Sequence, residues 1–318
     1  MKKFLLLALL LCAFAMPAYA GAAYPEKPVQ LVVAFPPGGG SDLSARVAVE
    51  FINRQIPQPL VVTNISGGTG SVGAKHAMRA KPDGYTLYWE HPTLAVQSAT
   101  GVIDFSHRDF DIVGVAMRST FILVANKRLP VKNATELMQY MQDNPGKVRW
   151  PMSFGAMSHY GFLYVADGWK GAPLVPGIVA NAGDKDRVVA LIGDHADASC
   201  VSLSAAAPYI ASGDVRPLGV LSRERMPMLP DIPTLREQGI DAVYEQIFTL
   251  FVPKGTPQGI KDQLHKAMQD GLNTPEAQKA MAALYCMPEV LSPEESLKLW
   301  NAQEERNREL ARKYLNKK

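Results

Sequence analysis

The 318 residues carry a formal net charge of +3, a mean hydropathy of −0.04 and three cysteines. A balance so close to neutral, with no long basic run, argues against nucleic acid as the partner. Three cysteines do not make a disulfide framework or a metal cluster, and no stretch beyond residue 20 is long and apolar enough to cross a bilayer as a helix.

Taken in chain order, residues 1–20 (MKKFLLLALLLCAFAMPAYA) come first. They combine two lysines, an apolar run from Phe4 to Met16 and the triplet Ala18-Tyr19-Ala20. That is the pattern of a secretory signal peptide with an A-x-A cleavage site, which predicts a mature chain starting near Gly21 or Tyr24 in a bacterial periplasm. Leu11 stands before Cys12 where a lipoprotein wants a small residue, so no lipid anchor is expected. Losing Lys2 and Lys3, the charged residues of this segment, lowers the formal charge to +1. The remaining chain is longer than one compact core usually holds, so two lobes are expected.

PVQLVVAF predicts a strand, and LSARVAVEFINRQI a helix with Leu43, Val47, Phe51 and Ile52 on one face. PLVVTNI predicts the next strand. A glycine turn, a short helix around AKHAMRA, the turn KPDG and the strand YTLYW follow. FILVAN (121–126) precedes a helix whose capping pair is Asn133 and Glu136. DRVVALIG (186–193) reads as a helix and RPLGVLS (216–222) as a buried strand. Thr256-Pro257, Thr274-Pro275 and Ser292-Pro293 each place a hydroxyl before a proline at a helix start, and Ser292 pairs with Glu295 as a capping box. Strands alternating with helices predict an α/β fold with mainly parallel sheets.

Two glycine loops hold the candidate chemistry. In AFPPGGGSD (34–42) a strand, a glycine turn and a helix start are consecutive, with Ser41 or Asp42 as cap. Free N–H groups and the positive end of the helix dipole would face an anion there. No Walker lysine follows, and G-x-S-x-G is absent, so the alternatives are an anion site or a tight corner capped by Asp42. In VVTNISGGTGSVGA, Gly68, Gly70 and Gly73 spell G-x-G-x-x-G, with Glu90 twenty residues beyond Gly70. The readings are a dinucleotide fingerprint, a second ligand-facing loop, or a plain turn with Ser71 as cap. His159 lies beside Ser153 and Ser158 in another small-residue turn; a base or a packed side chain both fit. No spacing suits zinc.

YPEKPVQLVVAFPPGGGSDLSAR and LVVTNISGGTGSVGAKHAMRAKPDGYTL resemble the solute receptors of tripartite tricarboxylate transporters, the Bug family. SFGAMSH, ALIGDHADAS, LPDIPTLREQGID and LFVPKGTP extend the resemblance over nearly the whole chain past residue 24. The resemblance implies a two-lobed periplasmic binding protein of type II (Venus-flytrap) with a crossing-strand hinge. One lobe would comprise 24–123 plus 247–318, the other the inserted 124–246. It implies a monomer that closes on a small organic acid and hands it to membrane transporter subunits, with no cofactor, no metal and no catalysis.

Carried over by position, the ligand site would use Phe35, Pro37, Gly38, Gly39, Ser41 and Asp42, then Ser66, Gly67, Gly68 and Ser71. The other lobe would add Ser153, Gly155, Ala156, Ser158 and His159. The chain departs from the family pattern at WEHPTL and VANAGDKDR. Trp89, Glu90 and His91 in the first, and Asn181, Ala182 and Gly183 in the second, are therefore expected to select the distal end of the ligand, and Thr93 and Asp184 complete the expected ligand set. Their bulk and acidity argue against citrate, and suit an aromatic acid, a monocarboxylate or a hydrogen-bonding tail. Cys200 and Cys286 would fall in different lobes and stay unbridged. A nucleotide-dependent enzyme using loop 67–73 is the alternative, and a sensor or scavenger of the same fold a third reading.

Overall fold

The computed structural model describes residues 24–180 and 183–315; the expected leader, Asn181 and Ala182 lie outside them. The first elements are β1 (Val29–Val33), α1 (Gly40–Ile52), β2 (Leu60–Asn64), α2 (Ser71–Met78), β3 (Thr86–Glu90) and α3 (Thr93–Thr100). A 17-residue strand, β4 (Phe110–Asn126), leads to α4 (Ala134–Asp143), β5 (Arg149–Met152), α5 (Met157–Gly168) and β6 (Gly177–Ala180). Then come α6 (Asp184–Ile192), β7 (Ala198–Ser202), α7 (Leu203–Ala211) and β8 (Val215–Val220). The last elements are β9 (Glu245–Pro253), α8 (Gln258–Leu272), α9 (Pro275–Ala283), β10 (Met287–Pro288) and α10 (Pro293–Tyr314).

The architecture is α/β and two-lobed, and β4 belongs to both lobes. Its first part, Phe110–Thr120, pairs with β9 in a sheet ordered β2-β1-β3-β9-β4-β10. Its last part, from Phe121 to Asn126, lies between β7 and β8. β1 is parallel to β2 and β3, and β5 is parallel to β6; the pairings of β4 and β9 are antiparallel. The β5–β6 pair abuts β7, where the Asp197 N–H donates to the Arg149 carbonyl at 2.8 Å.

Both sheets are covered on both faces, which explains the long apolar runs. Along β4, Phe121, Leu123 and Ala125 enter one core while Ile122 and Val124 enter another. Along β1, Leu31 and Val33 face the core shared with α1 and α8, and Val32 faces the one that holds Trp300. α10 runs between the lobes: Trp300 donates its indole N–H to Thr249 at 2.9 Å, and Tyr160 donates to the Asn307 carbonyl at 3.3 Å. Leu310, farther along the helix, is buried with Tyr160 and Tyr164.

Several capping signals act as expected. Asn133 accepts from the Glu136 N–H, Thr274 from Ala277, and Ser292 with Glu295 forms the full capping box. Thr256 does not cap: its hydroxyl donates back to Pro253, and α8 begins after Pro257. Neither Ser41 nor Asp42 caps α1, whose N-cap is Gly39, and Ser71 does not cap α2, whose N-cap is Gly70. Cys200 and Cys286 are free, buried and in separate cores.

Candidate ligand-binding site

A cavity of about 750 Å³ opens between the two lobes. Its floor is the crossing strands, through Ser119 and Phe121 of β4 and Gln246 and Phe248 of β9. Its walls are helix starts. The first residues of α1 (Gly40, Ser41), α3 (Thr93), α5 (Met157, Ser158), α6 (Asp184, Lys185) and α7 (Ser204) all line it. None of these five helices has its first turn capped by a side chain of its N-cap residue. α4, α9 and α10, whose ends lie elsewhere, are so capped. α2 and α8 also lack such a cap, and neither of their first turns lines the cavity. Helix starts that no N-cap side chain closes, with their aligned peptide dipoles, thus converge on one space, although the Thr93 N–H of α3 is already taken by His91 Nδ1 at 3.3 Å.

The cavity gathers Phe35, Gly38, Gly39, Ser41, His91, Thr93, Ser153, Ala156, Ser158 and Asp184 from the expected set. Pro37, Asp42, Ser66, Gly67, Gly68, Ser71, Gly155 and His159 do not line it. Asn181 and Ala182 lie outside the described residues. Of the second glycine loop, Thr69 reaches the wall rather than its neighbours. The G-x-G-x-x-G glycines answer backbone needs: Gly68 and Gly70 have φ of +54° and +98°, and a Cβ on Gly73 would stand 2.8 Å from Ala34 of the first loop. Residues the motifs did not flag include Lys185, Arg187, Ser202, Tyr209, Gln246 and Phe248. A helix-start serine at Ser202 followed by Ser204 is the signal that would have pointed to α7.

A family model, one relative and two solved structures set this geometry in context. The family model of the tripartite tricarboxylate transporter family receptor (TctC) matches residues 44–314. The chain belongs to this receptor family. BugT of Bordetella pertussis is 29% identical over 280 residues, covering 86% of this chain and 85% of BugT. The periplasmic binding protein BugD is 29% identical with a TM-score of 0.73, over 91% of this chain and 98% of BugD. MatC from Rhodopseudomonas palustris, solved with bound malate, is 26% identical with a TM-score of 0.75, over 90% and 99% of the two chains. TctC receptors are periplasmic solute-binding proteins rather than enzymes, which sets aside the nucleotide reading of loop 67–73.

In this TctC receptor the residues behind the wall shape the loops. Asp42 is buried beneath the first loop; it accepts the Gly38 N–H, the Asn64 amide and the Arg46 guanidinium, each at 2.9 Å. Burial alone would raise its carboxyl, but the Arg46 hydrogen bond and the two other donors bring it below the ordinary value. Asn64 also donates to the Phe35 carbonyl at 3.0 Å, tying β2 to the loop. In the second lobe the Ser153 N–H donates to the Ser158 hydroxyl at 3.0 Å, and the Gly155 N–H to His159 Nδ1 at 3.2 Å. His159 is thus a loop support, and burial lowers its imidazole.

Glu90 sits behind His91 and accepts its N–H at 2.9 Å and the Tyr88 hydroxyl. Burial pushes the Glu90 carboxyl up to about 8, so it is protonated at neutral pH. His91 stacks on Phe35 with ring centroids 4.8 Å apart, and burial pulls it down to about 4. The imidazole is therefore neutral. Asp184, Lys185 and Arg187, all on the first turn of α6, supply the ionised side chains of the wall among the described residues.

Proposed function

We propose that this TctC receptor captures a small organic acid in the interlobe cavity, holds its carboxylate on helix starts, and delivers it to a tripartite tricarboxylate-type membrane transporter. The observation that carries this reading is the convergence of five helix N-termini, none capped by its N-cap side chain, on one cavity. Backbone N–H groups and helix dipoles neutralise a carboxylate there, as phosphate is bound at other helix starts. The ligand contacts in this reading are Phe35, Gly38, Gly39, Ser41, His91, Thr93, Ser153, Ala156, Ser158 and Asp184. Phe121, Phe248, Leu284 and Met157 give the rest of the ligand an apolar bed. MatC, with its bound malate, supports a carboxylate as the ligand class.

The lobes in this reading are 24–123 with 247–318, and 124–246. The change of partners along β4 at Thr120 and Phe121 supports a hinge close to the first boundary. An occupied cleft closes, and the transporter reads the closed shape. Residues 1–20 act as a cleaved leader that places the receptor in the periplasm, where it works as a monomer.

The test is a thermal-shift and calorimetric screen of the purified receptor against mono-, di- and tricarboxylates, aromatic acids and nucleotides. A ligand at a hundred times its Kd adds about 2.7 kcal/mol of stability. Stabilisation by one class of acids and not by nucleotides is expected. Stabilisation by nucleotides alone would refute the proposal.

A further inference from the structure

Asp184 lines the cavity from the second lobe, and both of its oxygens are anchored. One is paired with Arg187, and the other accepts the Ser202 N–H at 3.3 Å. The carboxylate is fixed in position and keeps lone pairs for a further donor. His91 lines the cavity from the first lobe and is also fixed. It stacks on Phe35, and its Nδ1 meets the Thr93 N–H at 3.3 Å and the Thr93 hydroxyl at 3.1 Å. A ring nitrogen that accepts from a backbone N–H carries no proton, so the proton of the neutral ring is on Nε2. Among the described residues no protein acceptor bonds to that Nε2–H, and His91 and Asp184 line the same cavity from facing lobes.

We infer that Asp184 and His91 together read a hydroxyl group on the bound acid and so determine specificity beyond the carboxylate. A hydroxyl donates to Asp184 and accepts from the His91 Nε2–H, which satisfies both. A second carboxylate would accept from His91 but meet the charge of Asp184. An ammonium would suit Asp184, yet it has no lone pair to accept the His91 Nε2–H. A methyl group would leave both polar groups unpaired and desolvated. This inference rests on the acid-receptor reading above.

The experiment is calorimetric titration of the receptor with matched acids that differ by one hydroxyl: lactate and propionate, malate and succinate, 3-phenyllactate and 3-phenylpropionate, 4-hydroxybenzoate and benzoate. At least one hydroxy acid is expected to bind about ten- to a hundredfold more tightly than its partner, the discrimination a site built around a hydroxyl gives. Asp184→Asn and His91→Phe are each expected to cut that ratio to about threefold or less. The wild-type ratio needs no variant, so it decides the matter even where a substituted chain misfolds. Acids that bind in equal pairs, or a ratio that survives both substitutions, would overturn the hydroxyl reading and leave the acid receptor standing. If none of these acids, nor any acid of the wider screen, binds, the receptor reading falls and this one with it.

Discussion

Replacing Asp42 by alanine should loosen the first loop of the receptor without touching the cavity wall. The carboxylate is 2% exposed and accepts from Gly38, Asn64 and Arg46. Hydrogen bonds to a charged group are worth about 1.5–3 kcal/mol each. The Arg46 side chain is 51% exposed, so its share is nearer that of a surface pair, up to about 1 kcal/mol. Because bonds in one network do not add fully, the expected loss at pH 7 is about 3 kcal/mol, and roughly half that for Asp42→Asn, which keeps one acceptor. Urea denaturation of wild type and variant at matched m-values measures it.

The acid dependence is a second check. The folded carboxyl lies below its unfolded value of 3.8, so its contribution is complete above that pH and is lost as the pH falls through the folded value. The gap between wild type and Asp42→Ala should therefore narrow below pH 3.8. A loss under about 0.5 kcal/mol at pH 7, where a buried carboxylate that accepts two hydrogen bonds besides that of Arg46 should contribute several times more, would refute the argument.

Gly73→Ala would push a methyl group to within 2.6 Å of the Ile65 carbonyl and 2.8 Å of Ala34, so a loss of about 1–3 kcal/mol is expected by denaturation. Gly259→Ala, a helical glycine with open space around it, serves as the control and should be neutral or slightly stabilising. Glu90 has its folded value raised to about 8, so the fold binds its proton more tightly than the unfolded chain does, and stability is lost as pH rises from about 4.5 to about 8. Glu90→Gln should therefore gain on wild type by about 1 kcal/mol or more between pH 5 and 8; a constant difference would count against a protonated Glu90. His91, held near 4, gives the opposite slope at lower pH in both proteins, so the comparison is made between them at each pH.

The alternation of strands and helices was legible, because β1, β2 and β3 are bounded by glycine and proline turns and α4, α9 and α10 carry their own caps. The length of β4 was not. A strand buried on both faces shows no period of two in its composition, and FILVAN is only its second part. At the site, the first loop was readable because glycines at a strand end expose backbone. Asp42 was misplaced for the same reason: position alone does not distinguish a cap from a carboxylate turned beneath the loop. Arg187 and Tyr209 were missed because they look like ordinary positions of amphipathic helices. Their place in the wall depends on how the second lobe faces the first, which no local pattern encodes. Ser66, Gly67 and Ser71 came with the family motif, but in this chain they shape the turn that carries Thr69.

The position of β9 in the sheet has a consequence for how the chain is assembled. Residues 245–253 insert between β3 and β4, elements made more than a hundred residues earlier. Until they arrive, both neighbouring strands present unpaired edges, and the last helix, which binds Thr249 through Trp300, has nothing to dock on. A chain emerging from the ribosome therefore holds a half-built sheet while more than a hundred further residues are made. It stays accessible to whatever keeps polypeptides extended, and the sheet closes only once residues 245–253 are free.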